Sequence, residues 1–452
     1  MSNDIDFHGQ TPGTRDAPSV ARGNLSSEHG EPGTRLRVRE AGYPRAGGAL
    51  PMEGATRAPR KLSIAILLDK FLPSRGGERY FSFLAEELAR QGHDVHVFAT
   101  KVEADEGTPY QVHIVPVADF PRSARMISYM FFSARMVKRY GFDVIHGLGQ
   151  SLAVNVLNPH GGVEMAYLKQ EFASISSRWY YGYRWLRRYL SLHHYLELWM
   201  QKRLYTGASV KRVIAISKMV KQDIISYFGF PDERIAVVFN TVELDLFHPS
   251  IRDKYRSARR KELGLDEGTI LLLFAGNNYR LKGLEPLLHA VAILKGKFPA
   301  LSLRLAVLGR GQVWLYRRKA KRLGITESVL FLGPVKGMEP YYAASDIYVH
   351  PTFYDSCSLT VLEALASGLP VVTTRFNGAS DAILSDEGGK IVQNPANAAE
   401  IADAISFYFD GERRQRARTV ARQWMEQYPP SRNVEGTLAV YYEVAGLKGR
   451  NK

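Results

Sequence analysis

Short apolar runs alternate with stretches of helical periodicity from Lys61 almost to the end of the chain. In the first half, Lys61–Leu68, Asp94–Ala99, Val112–Val115, Val144–His146, Ala153–Leu157 and Val213–Ser217 read as strands, with helical spacing between them, as in Tyr80–Gln91. The second half repeats the pattern. Thr269–Phe274, Leu303–Gly309, Val329–Leu332, Ile347–His350 and Val371–Thr374 read as strands, a helix begins at Leu284, and another ends at Gly368-Leu369-Pro370. Most of these runs lack polar alternation, the signature of strands covered on both faces. Alternation of such strands with helices predicts an α/β architecture with parallel sheets. A chain of 452 residues holds two such domains. The predicted division is 1–60, 61–240, 241–430 and 431–452. Residues 1–60 are rich in Gly, Pro, Ser and Arg without apolar periodicity, which predicts disorder.

Charge changes this picture. The formal net charge is +15, and the Arg and acidic residues of 1–60 nearly balance, so the excess lies in the folded part. Phe120–Tyr140 interleaves Arg122, Arg125, Arg135, Lys138 and Arg139 with Met126, Tyr129, Phe131 and Phe132. Arg178–Arg212 sets Arg184, Arg187, Arg188 and other bases among Trp179, Tyr183, Trp185, Tyr189 and Trp199, with Glu197 as its acid. Basic residues beside interfacial aromatics suit an anionic membrane surface or a phosphorylated acceptor; a solvated basic helix face is the plainer reading. No nucleic-acid-binding motif is present, so nucleic acid is not an expected partner. No run approaches the ~20 apolar residues of a spanning helix. The polar, acidic start (Ser2-Asn-Asp-Ile-Asp6) lacks a signal-peptide layout, and the single cysteine, Cys357, excludes an internal disulfide. The expected location is the cytoplasm, peripheral on the inner face of the plasma membrane.

Four short segments carry the chemistry. Asp355 and Glu363 lie eight positions apart, the second inside the helix that ends at Gly368. Acids at a loop-to-helix junction can accept hydrogen bonds from sugar or ribose hydroxyls, and the helix N-terminus can hold a diphosphate. The bland alternative is that Asp355 caps the helix and Glu363 answers its dipole. Upstream, Arg280 and Lys282-Gly283 sit on a strand-to-helix loop, where a cation can neutralise phosphate, or where a solvated loop simply carries charge. Gly76-Gly77 follows the first strand but forms neither a dinucleotide GxGxxG nor a Walker loop. His160, in Asn158-Pro159-His160-Gly161-Gly162, follows the strand ending at Leu157, at the sheet edge where open α/β folds collect ligands.

Taken in order, these segments resemble the retaining glycosyltransferases of family 4, which have the GT-B fold. Asp355 through Val371 resembles the family's Glu-x7-Glu signature and its Leu-Glu-Ala-Met-Ala-x-Gly-x-Pro-Val helix, with Asp355 in place of the first Glu. Gly276–Gly283 resembles Gly-Arg-x-x-x-x-Lys-Gly, with Asn277 at the Arg position. Pro73–Glu78 resembles Pro-x-x-Gly-Gly-x-Glu, and Asn240–Pro249 resembles the link between the family's two domains. The resemblance covers about residues 61–447 and implies two Rossmann-like doubly wound domains facing a central cleft. Residues 61–240 would form the acceptor-side domain and 241–430 the nucleotide-sugar domain, with 431–452 crossing back. It implies catalytic roles for His160, Asp355 and Glu363, and donor binding by Gly76, Gly77, Arg280, Lys282, Val335 and Leu359. It implies no metal and no cofactor beyond the donor, a UDP-hexose. The reaction implied is transfer to a hydroxyl of a glycan or lipid-linked acceptor with retention. The closest likeness is to lipopolysaccharide-core glucosyltransferases, hence a role in lipopolysaccharide or other cell-envelope polysaccharide synthesis. A nucleotide-sugar epimerase of similar architecture and a non-catalytic GT-B sugar-binding protein are the competing readings, the second kept alive by Asp355 and Asn277.

Overall fold

The computed structural model describes residues 60–450 except 73–75, 104–106 and 119, so the expected disorder of the N-terminal tail falls on residues outside the described ones, Arg60 apart. The first half contains β1 (Ser63–Leu67), β2 (Lys70–Phe71), α1 (Gly76–Arg90), β3 (Asp94–Ala99), β4 (Lys101–Val102), β5 (Gln111–Ile114) and α2 (Arg122–Val137). Next come β6 (Val144–Gly147), β7 (Val156–Leu157), α3 (Glu164–Ala173), α4 (Arg178–Tyr189), α5 (Leu192–Thr206), β8 (Arg212–Ala215), α6 (Lys218–Phe228) and β9 (Ile235–Val237). Seven of these strands form one parallel sheet in the order β5-β3-β1-β6-β7-β8-β9, while β2 pairs with β4 beside it.

The second half begins with α7 (Ile251–Glu262), β10 (Ile270–Ala275), α8 (Leu284–Lys297), β11 (Leu303–Leu308), α9 (Val313–Arg322), β12 (Val329–Gly333) and α10 (Glu339–Ala344). It continues through β13 (Ile347–His350), α11 (Leu359–Ala366), β14 (Val371–Thr374), β15 (Gly389–Val392), α12 (Ala398–Ser406), α13 (Gly411–Glu426) and α14 (Pro430–Arg450). Its six strands are again parallel, in the order β12-β11-β10-β13-β14-β15. Every residue of β10 is buried, as its unbroken apolar sequence predicts for a central strand. Each sheet reverses its strand order once, at β1/β6 and at β10/β13, and such switch points open the crevice where α/β folds bind ligands. Helix α14 packs on the first sheet: Val434, Leu438 and Val444 share a core with Ile64 and Val97, and Tyr441 Oη meets His146 Nδ1 of β6 at 2.5 Å.

One strand is shorter than its pattern. Ala153–Leu157 reads as a full strand, yet only Val156–Leu157 pairs. The Asn155 side chain stands in for the ladder there, with Oδ1 accepting from Ile145 N at 2.8 Å and Nδ2 donating to Asp143 O at 3.1 Å.

Candidate active site

The chain leaving β10 enters the Lys282 loop through Gly276 and closes it at Gly283. Gly283 has φ +77°, and a Cβ there would lie 2.0 Å from Pro351 O, so only glycine lets this loop pack against the chain leaving β13. That packing joins the two sequence motifs. Lys282 Nζ donates to Asp355 Oδ2 at 2.5 Å, with both side chains about one-fifth exposed or less. Burial alone would raise the Asp355 carboxyl; the Lys282 ammonium, with His350 after it, instead holds it well below the usual carboxylate range. His350 Nε2 lies 3.4 Å from Asp355 Oδ2 and is almost fully buried at the end of β13. Sequence reading assigned His350 no role, since nothing local in Ile347–His350 shows that its ring turns toward Asp355. Asp355 is not the N-cap of α11; Ser358 holds that position.

Glu363, partly buried in α11, accepts a hydrogen bond from Tyr342 Oη at 2.7 Å. Burial pushes its pKa up to about 7, against the lowering effects of the Tyr342 bond and of Arg79. Arg79 comes from the first turn of α1, so α1 and α11 place opposite charges toward each other across the cleft. Gly76 and Gly77 belong to that first turn, with α1 starting ahead of the predicted Tyr80. The Arg79 guanidinium also pairs with Glu243 of the segment linking β9 to α7.

The His160 loop, at the carboxyl end of β7, meets the Asp355 loop directly. Ser356 Oγ donates to His160 O, and Val163 N donates to Tyr354 Oη at 3.2 Å. A Cβ at Gly162 would fall 2.0 Å from Tyr354 Oη, so this approach also needs glycine. Ser217 reinforces the join: its Oγ accepts from Val220 N to cap α6 and donates to Ser356 O at 2.9 Å. The His160 ring rests against Tyr80 and Phe81, with centroids 5.0 and 4.9 Å away, and burial lowers its pKa to about 4. The imidazole is therefore neutral near pH 7, able to hydrogen-bond a hydroxyl but not to act as a cationic acid.

Arg280 points elsewhere. It donates to Glu171 O at 2.8 Å, to Ser174 Oγ and to Glu171 Oε1 at 3.2 Å, committing its guanidinium to α3. Glu171, with a side chain only 3% exposed, also receives Arg184 and Arg188 of α4. Val335, between β12 and α10, and Leu359, the first residue of α11, both pack against a core that draws residues from both halves of the chain. On the first-half side, His160 opens into a cavity of about 750 Å³ lined also by Lys70, Arg122, Glu164, Glu197 and Gln201. Among the described residues, Glu164, His194 and Glu197 are the one group with metal-ligand spacing. Arg188 Nη1 lies 3.1 Å from Glu164 and 3.4 Å from His194 Nδ1, which places a guanidinium where a cation would go.

Two family models match this chain: Glycosyltransferase Family 4 over residues 74–246, and Glycosyl transferases group 1 over residues 269–410. The chain carries a Glycosyltransferase Family 4 domain followed by a Glycosyl transferases group 1 domain. Among its relatives, the D-inositol 3-phosphate glycosyltransferase of Pseudarthrobacter chlorophenolicus is 35% identical over 215 residues, 46% of this chain and 50% of the relative. The match thus spans about half the length of that relative. The lipopolysaccharide glucosyltransferase WaaG of Escherichia coli is 23% identical over 342 residues, 76% of this chain and 88% of WaaG. A WaaG crystal structure superposes with a TM-score of 0.67 at 21% identity, covering 80% of this chain and 95% of its own. Anabaena HepE in complex with UDP and glucose gives 0.61 at 17% identity, covering 86% and 99%. At these identities the structural likeness is one of fold, and that fold is GT-B.

Proposed function

We propose that this protein moves a hexose from a UDP-hexose to a hydroxyl of a glycan or lipid-linked acceptor with retention, in lipopolysaccharide or other cell-envelope polysaccharide synthesis. The observation that carries the reading is the Lys282–Asp355 pair at the carboxyl edge of the second sheet, held by Ser356 against the His160 loop of the first. Support comes from relatives named as a lipopolysaccharide glucosyltransferase and an inositol-phosphate glycosyltransferase, and from a neighbour whose crystals held UDP and glucose. In this reading Lys282 stabilises the diphosphate as charge develops on it, and the backbone N–H groups opening α11 assist. Asp355, kept ionised by Lys282 and His350, accepts from a hydroxyl of the transferred sugar. Neutral His160 hydrogen-bonds that sugar from the opposite side, and Glu363 accepts from the ribose. The acceptor enters through the 750 Å³ cavity beside His160. Attack on the face the diphosphate leaves, with the leaving phosphate taking the acceptor's proton, requires no nucleophile from the protein.

A released-nucleotide assay with UDP-hexoses tests this reading against an epimerase, which frees no UDP, and against a protein that binds sugar without turnover. Glu363→Gln gives the control. The carboxylate that accepts from ribose is the ionised one, and Glu363 ionises as pH rises through about 7. Wild-type UDP affinity is therefore expected to strengthen from about pH 6 to about pH 8 relative to the variant, whose neutral amide does not titrate. At the upper end the variant should bind roughly tenfold more weakly, about 1.4 kcal/mol. Equal affinities across the window, measured calorimetrically, would remove Glu363 from the ribose site.

The reading extends to an anionic membrane surface. Trp179, Trp185, Tyr189 and Leu190 are each more than half exposed along α4 and its C-terminal end. Of the α4 bases, Arg184 and Arg188 face inward to Glu171 and Glu164, which leaves Arg178 and Arg187 at the surface. No helix among the described residues is long and apolar enough to cross a membrane. Co-sedimentation with vesicles should rise with anionic lipid and fall with salt, since each exposed base near the surface contributes about 1 kcal/mol. Replacing Arg178, Trp179, Trp185 and Arg187 together should abolish it; binding that ignores lipid charge, or none at all, would refute the surface.

A further inference from the structure

A second charged cavity lies in the second half of the chain and shares no residue with the Lys282–Asp355 site. It is a space of about 350 Å³ between α7 and α13, lined by Arg252, Arg256, Arg414 and Arg418 with Asp346 and Glu267 as its acids. Asp346, with a side chain 6% exposed, is already satisfied. It accepts from Arg256 Nη2 at 3.0 Å, from Arg260 Nη1 at 3.3 Å and from Leu271 N at 3.0 Å. Arg252 and Arg418 reach the same carboxylate only at 3.7 and 3.6 Å, outside hydrogen-bond range. Arg418 Nε is buried with no hydrogen-bond partner among the described residues. Arg252 gives one weak bond, to Ser345 O at 3.3 Å. Arg252 and Arg418, together with Gln415, also line an adjoining cavity of about 560 Å³. Burial and the neighbouring arginines depress Arg252 to about 9, a sign of positive charge that one aspartate does not offset.

We propose that Arg252 and Arg418 form a binding site for a phosphate group, distinct from the donor site. A phosphate offers several acceptor oxygens to donors that Asp346 leaves unused, and forked guanidiniums match it bidentately. The site has a route to the reaction. Arg252 donates to Ser345 O just past α10, and the neighbouring Arg256 and Arg260 donate to the carbonyl ending α10: Arg256 Nη1 to Ala344 O at 2.9 Å, and Arg260 Nη1 to the same oxygen at 3.1 Å. Tyr342 of α10 lines the adjoining cavity and donates to Glu363. Occupancy of the arginine site is therefore felt at Glu363, and bound phosphate changes the affinity for nucleotide; by linkage, nucleotide changes the affinity for phosphate.

Inorganic phosphate is the first probe, titrated at constant ionic strength against chloride, with binding followed by equilibrium dialysis and by melting temperature. Three proteins are compared: wild type, R252Q/R418Q and Lys282→Ala. The expected result is saturable binding that weakens at least tenfold in R252Q/R418Q and persists in Lys282→Ala. Loss in Lys282→Ala with retention in R252Q/R418Q would place the anion at the donor loop and overturn the proposal, as would equal, unsaturable binding in all three. Should R252Q/R418Q fail to fold, Arg418→Lys keeps the charge but removes the fork; undiminished affinity there overturns the proposal equally. Glycerol phosphate as a second probe separates a site for phosphomonoesters, which it then occupies, from one closed to all but free phosphate. Either result supports the site and assigns its ligand.

Discussion

Lys282→Ala is expected to reduce turnover by roughly 30- to 1000-fold, about 2–4 kcal/mol of transition-state stabilisation, while the protein stays folded. The lost ammonium does two things in the proposed reaction. It opposes charge developing on the departing diphosphate, and it keeps Asp355 ionised against a burial that would raise its pKa. The two effects separate by pH. With Lys282 gone, the Asp355 carboxyl moves toward its buried, raised value, so the acid limb of the kcat profile should shift to higher pH in the variant. The sign follows from Asp355 acting as a carboxylate: activity is present above its pKa and lost as pH falls through it. A variant with wild-type turnover and an unchanged acid limb would remove Lys282 from the chemistry. One with low turnover and an unmoved limb would leave it the diphosphate alone.

That Lys282 and Asp355 belong together was legible because each lies in a local motif at the end of a central strand, and parallel α/β sheets bring such ends to one edge. The apolar runs of β10 and β13 were legible for a separate reason: strands covered on both faces carry their own signature. What escaped reading depends on partners far along the chain. Glu171 is an ordinary acid in a helical stretch, and nothing near it shows that Arg184, Arg188 and Arg280 converge on it. Counting bases in Arg178–Arg212 therefore overstated the free positive surface, because Arg184 and Arg188 turn inward while Arg187 does not. Arg280 looked like a second phosphate cation from its loop position, and its direction toward α3 is a property of tertiary packing. Asn155 likewise shortened β7 through side-chain bonds that periodicity does not record.

Asp346→Ala should be the most destabilising single change among those considered, by about 3–5 kcal/mol, because it removes one acid and strands several bases. Arg260 has a side chain 1% exposed, and Arg256 one 14% exposed; both donate to Asp346 at hydrogen-bond distance. Arg260 cannot reach water without unpacking α7 from α10, and Leu271 N at the second position of β10 would lose its acceptor too. The penalty is thus chiefly that of uncompensated buried charge, which makes a specific rescue possible. Arg260→Met in the Asp346→Ala background replaces part of that charge with apolar volume and should recover a substantial share of the loss, although it deletes further hydrogen bonds to Ala344, Asp266 and Thr269. Urea melts of wild type, the two single variants and the double variant form the required cycle. If the double variant is no more stable than Asp346→Ala, the stabilisation comes from the carbonyl contacts of Arg260, and Asp346 would serve β10 rather than the arginines. Addition of inorganic phosphate should also raise the melting temperature of Asp346→Ala more than that of wild type, since the anion then meets the arginines without a competing carboxylate.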